Sequence, residues 1–435
     1  MTSYNCSTFV RNKFILMKTL KFPWYFLPVL ILAGESVFML PYVLPRIFRP
    51  TVLQVFQIDN VELGLCFSTY GIVAIFSYIF GGPIADRYSP RKLMSLSLIL
   101  TAFGGLAYAQ FPTFYGLKIL YGYWGFTTVF LFWAPMIKAA RLWGETHNQV
   151  KAFGFLEGGR GIVGAIIGTI GVLIFDYFMN SIDTITHSLE DCRTAFKYVV
   201  LFSSSIVAVV GLLVWKFLKV DKEIENSVVL EKITISKIKK VLFLPSVWLL
   251  MVIVMSAYVG YKITDVFSLY ALDVMHYNQV DSAEVATFLL YLRPLIAIAI
   301  ALFAERLKNT SMLLFGFAIS FFGALLFSLG VITYSKTLFF LSSIFILALG
   351  VYSLRAIYFS VMEKGKIPLP LTGTAVGIVS LIGYTPDIFI GPLMGYFLDQ
   401  YKGILGHQYV FGLMAIFSLI GFFTSKVYKS LYGFK

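Results

Sequence analysis

The stretch Gly81-Gly82-Pro83-Ile84-Ala85-Asp86-Arg87-Tyr88-Ser89-Pro90-Arg91-Lys92 separates two apolar runs, at about 63–80 and 93–110. Each run approaches the roughly 20 apolar residues that cross a bilayer as a helix. The connection between them is short, rich in glycine and proline, and basic. A small residue such as Gly82 lets neighbouring helices approach closely, and Asp86 is placed to accept from a helix N-terminus. Arg87, Arg91 and Lys92 are of the type that holds a loop on the cytoplasmic side. The stretch therefore reads as a tight cytoplasmic turn between two membrane-crossing helices.

The same pattern recurs along the chain. Ten further apolar runs fall at about 22–44, 113–137, 152–176, 196–218, 247–271, 283–303, 311–333, 337–361, 372–398 and 408–428. Of the 435 residues 58% are hydrophobic and 13% charged, with a mean hydropathy of +0.82. Soluble domains carry about 25% charged residues, so a cytosolic enzyme, a disordered chain and a secreted disulfide scaffold are excluded. The expected fold is all-α: a polytopic membrane protein with twelve transmembrane helices in two pseudo-symmetric six-helix bundles. Residues 22–218 form the first bundle and 247–428 the second. Segments 1–21, 219–246 and 429–435 are the N-terminal segment, the linker and the tail, all cytoplasmic. The basic first segment has no cleavage-site pattern, so the first run reads as a retained helix.

Charge sets the orientation. Of the 35 Lys and Arg residues, only Arg46, Arg49, Arg193, Lys336 and Lys402 fall in the loops opposite the termini. That bias places both termini and the linker in the cytoplasm of a multi-pass inner-membrane (plasma-membrane) protein. It also accounts for the net charge of +13 without a nucleic-acid partner. Cys6, Cys66 and Cys192 lack redox or metal spacing, and His147, His187, His276 and His407 fall in loops, so no metal and no cofactor are expected. Nothing resembles a phosphate-cradling loop, which excludes an ATP-driven pump on this chain.

Two sets of six helices fit transporters whose halves rock about a central site. The stretch from Gly81 to Lys92 resembles the cytoplasmic loop signature of the major facilitator superfamily, a secondary-transporter family. The resemblance implies that Gly82, Asp86, Arg87, Arg91 and Lys92 act as a gating latch between the halves. It also implies a monomer. Ala301-Leu302-Phe303-Ala304-Glu305-Arg306-Leu307-Lys308 looks like a decayed second copy. Ser89 departs from the usual glycine, and the variant Asp-Arg-Tyr-Ser-Pro-Arg is similar to the organophosphate:phosphate antiporter-like branch, as is Gly373–Tyr384 followed by Gly395-Tyr396 and Asp399. Phe153–Gly161 resembles bacterial inner-membrane permeases labelled nitrate/nitrite-type. Nitrate itself is not expected, because nitrate carriers of the superfamily share an arginine in the second helix and residues 63–80 contain none.

Charges inside the runs mark the candidate site, since each costs roughly 2.5–3.5 kcal/mol at a helix centre on insertion scales. Glu35, Glu157, Arg160, Lys262, Asp265, Arg293, Arg355 and Asp387 all fall well inside, as does Lys118. Glu157 with Arg160, and Lys262 with Asp265, are three apart and can neutralise each other or serve the solute. Arg293 and Arg355 have no carboxylate one turn away on their own helix, which points to an anionic ligand or to pairing across helices with Glu35 or Asp387. Lys262 falls near one of the two arginines that grip phosphate in the organophosphate branch. Arg46 lies loosely near the other, and reads slightly better as an interfacial side chain reaching toward the headgroups. Pro41 and Pro45 are expected to close the first helix, and Pro386 and Pro392 to interrupt the eleventh.

The expected function is secondary transport of a small, anionic organic solute by alternating access. Lys262, Arg293, Arg355, Arg160, Tyr261 and Tyr384 are the candidate solute-binding residues, and Glu35, Asp265 and Asp387 the candidates for coupling to a proton. The alternative is proton-coupled symport of an amino acid, nucleoside or other neutral nutrient.

Overall fold

The computed structural model describes residues 22–147, 149–180, 188–219, 235–304, 309–333, 337–359, 361–362, 365–367 and 372–433. Segment 1–21, most of the linker and residues 305–308 of the second loop copy lie outside them. All regular structure among the described residues is helical, in twelve crossings. The first half comprises α1 (Phe26–Ser36, Met39–Val43, Leu44–Ile47 and Arg49–Phe56), α2 (Asn60–Arg87), α3 (Pro90–Tyr108), α4 (Phe114–Gly125, Phe126–Trp133 and Ala134–His147), α5 (Gln149–Asn180) and α6 (Leu189–Phe217). The second comprises α7 (Pro245–Ile263, Thr264–Val266 and Phe267–Asp273), α8 (Gln279–Ala304), α9 (Asn309–Ser328), α10 (Thr337–Ile357), α11 (Thr372–Gly383 and Pro386–Gln400) and α12 (Ile404–Tyr432). A short helix, Ile235–Leu242, precedes α7.

Among the described residues nine helices are long and apolar enough to cross a membrane, ten if the bent first pair is one span. The shortfall from twelve has two causes. α3 begins with Arg91 and Lys92 and carries several serines, and α4 is divided by a π-helical stretch, Phe126–Trp133.

Local sequence fixes the helix starts. Asp59 and Glu62 form a reciprocal cap on α2, with the Glu62 amide donating to Asp59 at 2.7 Å. Ser188 and Asp191 do the same for α6. Such caps satisfy amides that the first helical turn leaves free. Pro90 and Pro245 stand in the first turns of α3 and α7, where their missing N–H is harmless.

Three expectations about boundaries are corrected. Pro41 and Pro45 do not close α1: they lie in a π-helical turn and a short helical piece, and the chain stays helical to Phe56 after a 44° bend. The stretch from Gly81 to Arg87 is the last part of α2, so only Tyr88 and Ser89 form the turn. Two of the histidines expected in loops are helical: His147 is the last residue of α4, and His407 lies buried in the first turn of α12.

Each half has its own apolar core. One cluster gathers residues from Phe26 to Leu218, joined by Ala283, Ala286 and Leu290 of α8. Two others belong to the second half. Between the halves, α2 crosses α11 where Gly64 meets Gly391 so closely that a Cβ on Gly64 would run into the Gly391 backbone. Gly161 of α5 likewise lies against Pro294 of α8.

Candidate functional site

Contacts between the halves gather toward the end opposite the termini. Asp399, near the end of α11, accepts from the backbone amides of Asn60 and Val61 at 3.2 and 2.8 Å and from the Asn60 side-chain amide at 2.9 Å. It thus caps α2 from the other half of the molecule. Arg49, 1% exposed, donates to the same Asn60 through Nε and Nη2 at 3.1 and 2.9 Å. Thr51 and Gln54 of α1 meet Gln279 of α8. Nearer the termini, among the described residues, Gly158 of α5 and Gly377 of α11 have open space beside them. The charged side chains lie where the halves begin to part.

The first group centres on α1, α7 and α11. Arg46 Nε donates to Asp265 at 2.5 Å, and both side chains are 5% exposed. Lys262 Nζ lies 3.5 Å from Asp265 and 3.3 Å from Asp387. It also lies over the rings of Tyr42 and Phe67, at 4.4 and 4.9 Å from their centroids. The Tyr258 hydroxyl donates to both Asp387 oxygens at 3.1 Å. Tyr384 stands at the break in α11, its ring 4.7 Å from that of Tyr258 and its hydroxyl 3.2 Å from that of Tyr358.

The second group joins α1, α5 and α8. Arg160 reaches Glu35 at 3.2 Å and Glu157 at 2.8 Å; Arg293 reaches the same carboxylates at 3.8 and 3.0 Å. Glu157 lies between two buried arginines, yet 46% of its side chain is accessible, so it faces a cleft rather than a packed core. Arg293 is therefore not the unpaired cation that its own helix suggested: its partners come from α1 and α5. Nor does Arg46 reach toward a membrane surface, since α1 continues past it and Asp265 holds it inside.

Arg355 differs from the others. Among the described residues no carboxylate lies within ion-pair distance of it. Its guanidinium lies over the Tyr261 ring at 4.0 Å, where Arg46 also stacks at 4.8 Å, and its Nη1 is buried without a hydrogen-bond partner. Counted together, Arg46, Arg160, Lys262, Arg293 and Arg355 oppose Glu35, Glu157, Asp265 and Asp387, which leaves one positive charge uncompensated.

The latch residues are only partly visible. Gly82 and Asp86 lie in the last part of α2, and the Asp86 side chain is outside the described ones. Arg87 and Lys92 are exposed, and Arg91 stacks on Trp215 of α6 at 5.0 Å. Lys138 of α4 donates to the Ala85 carbonyl in the last turn of α2 at 3.0 Å. Among the described residues no group of three or more His, Cys, Asp or Glu could hold a metal. Sequence reasoning missed Asn60, Tyr42 and the role of Arg49. A basic residue flanked by apolar ones at positions 46 and 49, without a turn signal before Gln57, was the available sign that α1 continues.

Twelve helices in two halves around a charged cleft match a known pattern. The Major Facilitator Superfamily pattern covers residues 25–386. The chain belongs to the major facilitator superfamily. Two inner membrane proteins of Escherichia coli strain K12 are similar over nearly the whole length. YqcE is 25% identical over 419 residues, covering 94% of this chain and 95% of its own. YihN is 27% identical over 407 residues, covering 92% and 93%. A bacterial homologue of the human lysosomal transporter Spinster, in an inward-facing and occupied conformation, gives a TM-score of 0.71 at 14% identity, over 93% of this chain and 96% of that one. The nucleoside transporter NupG gives 0.68 at 14% identity, over 94% and 98%. At such identities the likeness is one of fold. As a major facilitator superfamily member the chain is a secondary transporter of a small solute, not an enzyme.

Proposed function

We propose that the protein carries a small, anionic organic solute across a bacterial inner membrane by alternating access. The supporting observation is the uncompensated Arg355 over Tyr261. Arg355 as a whole is half-buried, but its Nη1 is buried without a partner; a buried donor left unpaired is costly, and a bound carboxylate or phosphate supplies the missing partner through strong charge-assisted hydrogen bonds. Lys262, Arg293, Arg160 and Tyr384 surround the same cleft and complete the binding face. The organophosphate-like sequence around Asp86 supports the same solute class. The positive-inside pattern supports a cytoplasmic position for both termini, so the parted end of the cleft faces the cytoplasm. The two six-helix halves, joined through 219–246, rock as units in a monomer, with the segment Gly82–Lys92 latching the opposite state.

A second reading, proton-coupled symport of an amino acid, nucleoside or other neutral nutrient, draws on Asp387. It sits at the α11 break, held by Lys262 and Tyr258, where proton uptake would leave Lys262 to Asp265 alone. Glu35 and Asp265 are each paired with arginine, which favours them less.

A thermal-shift screen on detergent-purified protein separates the readings. A ligand at a hundredfold excess over Kd adds roughly 2.7 kcal/mol to native stability. Organic phosphates or carboxylates are expected to stabilise the wild type and to lose that effect in Arg355→Gln. Stabilisation only by amino acids or nucleosides, stronger at low pH, would overturn the anion reading.

A further inference from the structure

We propose that Glu157 is a tethered counter-ion: in the empty carrier its carboxylate occupies the place between Arg160 and Arg293 that an anionic group of the solute takes on binding. The inference rests on the anionic-solute reading above and adds to it how the site is kept neutral and what charge the solute brings. Glu157 places one oxygen 2.8 Å from Arg160 Nη1 and the other 3.0 Å from Arg293 Nη2. Two oxygens of one group bridging two guanidiniums is how a bound carboxylate or phosphate is held.

Accessibility separates Glu157 from its partners. The side chains of Arg160, Arg293 and Glu35 are 6%, 7% and 4% exposed, whereas Glu157 is 46% exposed. Three of the four groups are built into the protein, and the fourth lies on the cleft side. With nearly half of its side chain accessible, the carboxylate has room to turn away. Glu35 stays behind both arginines when that happens. Arg160 and Arg293 then share one carboxylate and carry one excess positive charge. Arg355, which stacks on Tyr261 with its Nη1 unpartnered, carries another. The solute that balances both is a dianion with clustered oxygens, of the phosphate monoester or dicarboxylate class.

The bridge also ties the halves together, since Arg160 belongs to the first and Arg293 to the second. An empty carrier that keeps Glu157 in place balances Arg160 and Arg293 against two carboxylates, leaves only the Arg355 charge in excess, and can close and complete its cycle. Without Glu157 two buried arginines face each other with one carboxylate, and only a loaded carrier closes.

The test compares wild type, Glu157→Gln and Glu157→Asp, with inorganic phosphate and succinate as dianionic probes and acetate as a monoanionic one at pH 8, and choline chloride at matched ionic strength as control. Glutamine is nearly isosteric and the site is half open; the aspartate variant keeps the charge one methylene short and serves if glutamine fails to fold. Calorimetric binding is expected to tighten about tenfold in Glu157→Gln and less in Glu157→Asp, as an internal competitor is removed or weakened. In proteoliposomes Glu157→Gln is expected to keep exchange and lose net flux by about tenfold. Unchanged or weaker binding, with net flux and exchange falling together, would show a purely structural ion pair and overturn the proposal. Wild-type binding of monoanions but not of either dianion would overturn the charge assignment. Failure of the wild type to bind any anion would overturn the transport reading itself.

Discussion

Removing Asp265 is expected to destabilise the protein more than removing Arg46, although the two side chains form one ion pair at 2.5 Å with equal exposure. The asymmetry comes from their other partners. In Arg46→Met the aspartate keeps Lys262 at 3.5 Å, so the loss is that of one charged hydrogen bond, about 1.5–3 kcal/mol. In Asp265→Ala the Lys262 ammonium still has Asp387 at 3.3 Å, but Arg46 is left buried with only the Tyr261 ring. Stranding a buried charge costs about 3–5 kcal/mol. The gap is about 1–2 kcal/mol, and the double variant should cost less than the sum, because neither charge is then stranded. Unfolding by SDS titration in mixed micelles gives the apparent free energies. An Arg46→Met loss equal to or larger than that of Asp265→Ala, or an additive cycle, would refute the reasoning.

Asp399→Asn removes the charge that caps α2 from α11, worth about 1 kcal/mol at a helix N-terminus. The end opposite the termini should therefore open more often, by about fivefold, read as a shift in spin-label distances between α2 and α11; an unchanged distribution would contradict the capping role. Gly64→Leu should prevent that end from closing, since even a Cβ meets the Gly391 backbone. Transport in proteoliposomes should fall by more than about tenfold while the protein still inserts; retained flux would show that the crossing is not needed for the cycle. Glu157→Gln should separate exchange from net flux as described above.

The fold was legible because a bilayer demands long apolar runs, and twelve of them are separated by turns that are strongly basic on one side only. Helix ends were less legible. Arg46, Arg49 and Arg87 read as loop residues, but helix propensity does not exclude arginine, and two of them are satisfied inside the protein. Arg46 is satisfied by a residue 219 positions away, a distance no local pattern encodes. The same limit applies to the charges. Pairs three apart, such as Glu157 with Arg160, follow from helical spacing. The bridge from Glu157 to Arg293, 136 positions away, depends on how α5 and α8 meet. The π-helical turns in α1 and α4 left no sign in the sequence, because Met39–Val43 and Phe126–Trp133 are apolar on most faces and a shift of register breaks no hydrophobic pattern there.

The most direct test of the central claim is uptake by proteoliposomes containing wild type or Arg355→Gln, offered labelled organic phosphates, dicarboxylates, amino acids and nucleosides. Saturable uptake of an anion by the wild type, lost in Arg355→Gln while the variant remains folded, is the expected result. Uptake of a neutral solute alone, or anion uptake that survives Arg355→Gln unchanged, would contradict the account.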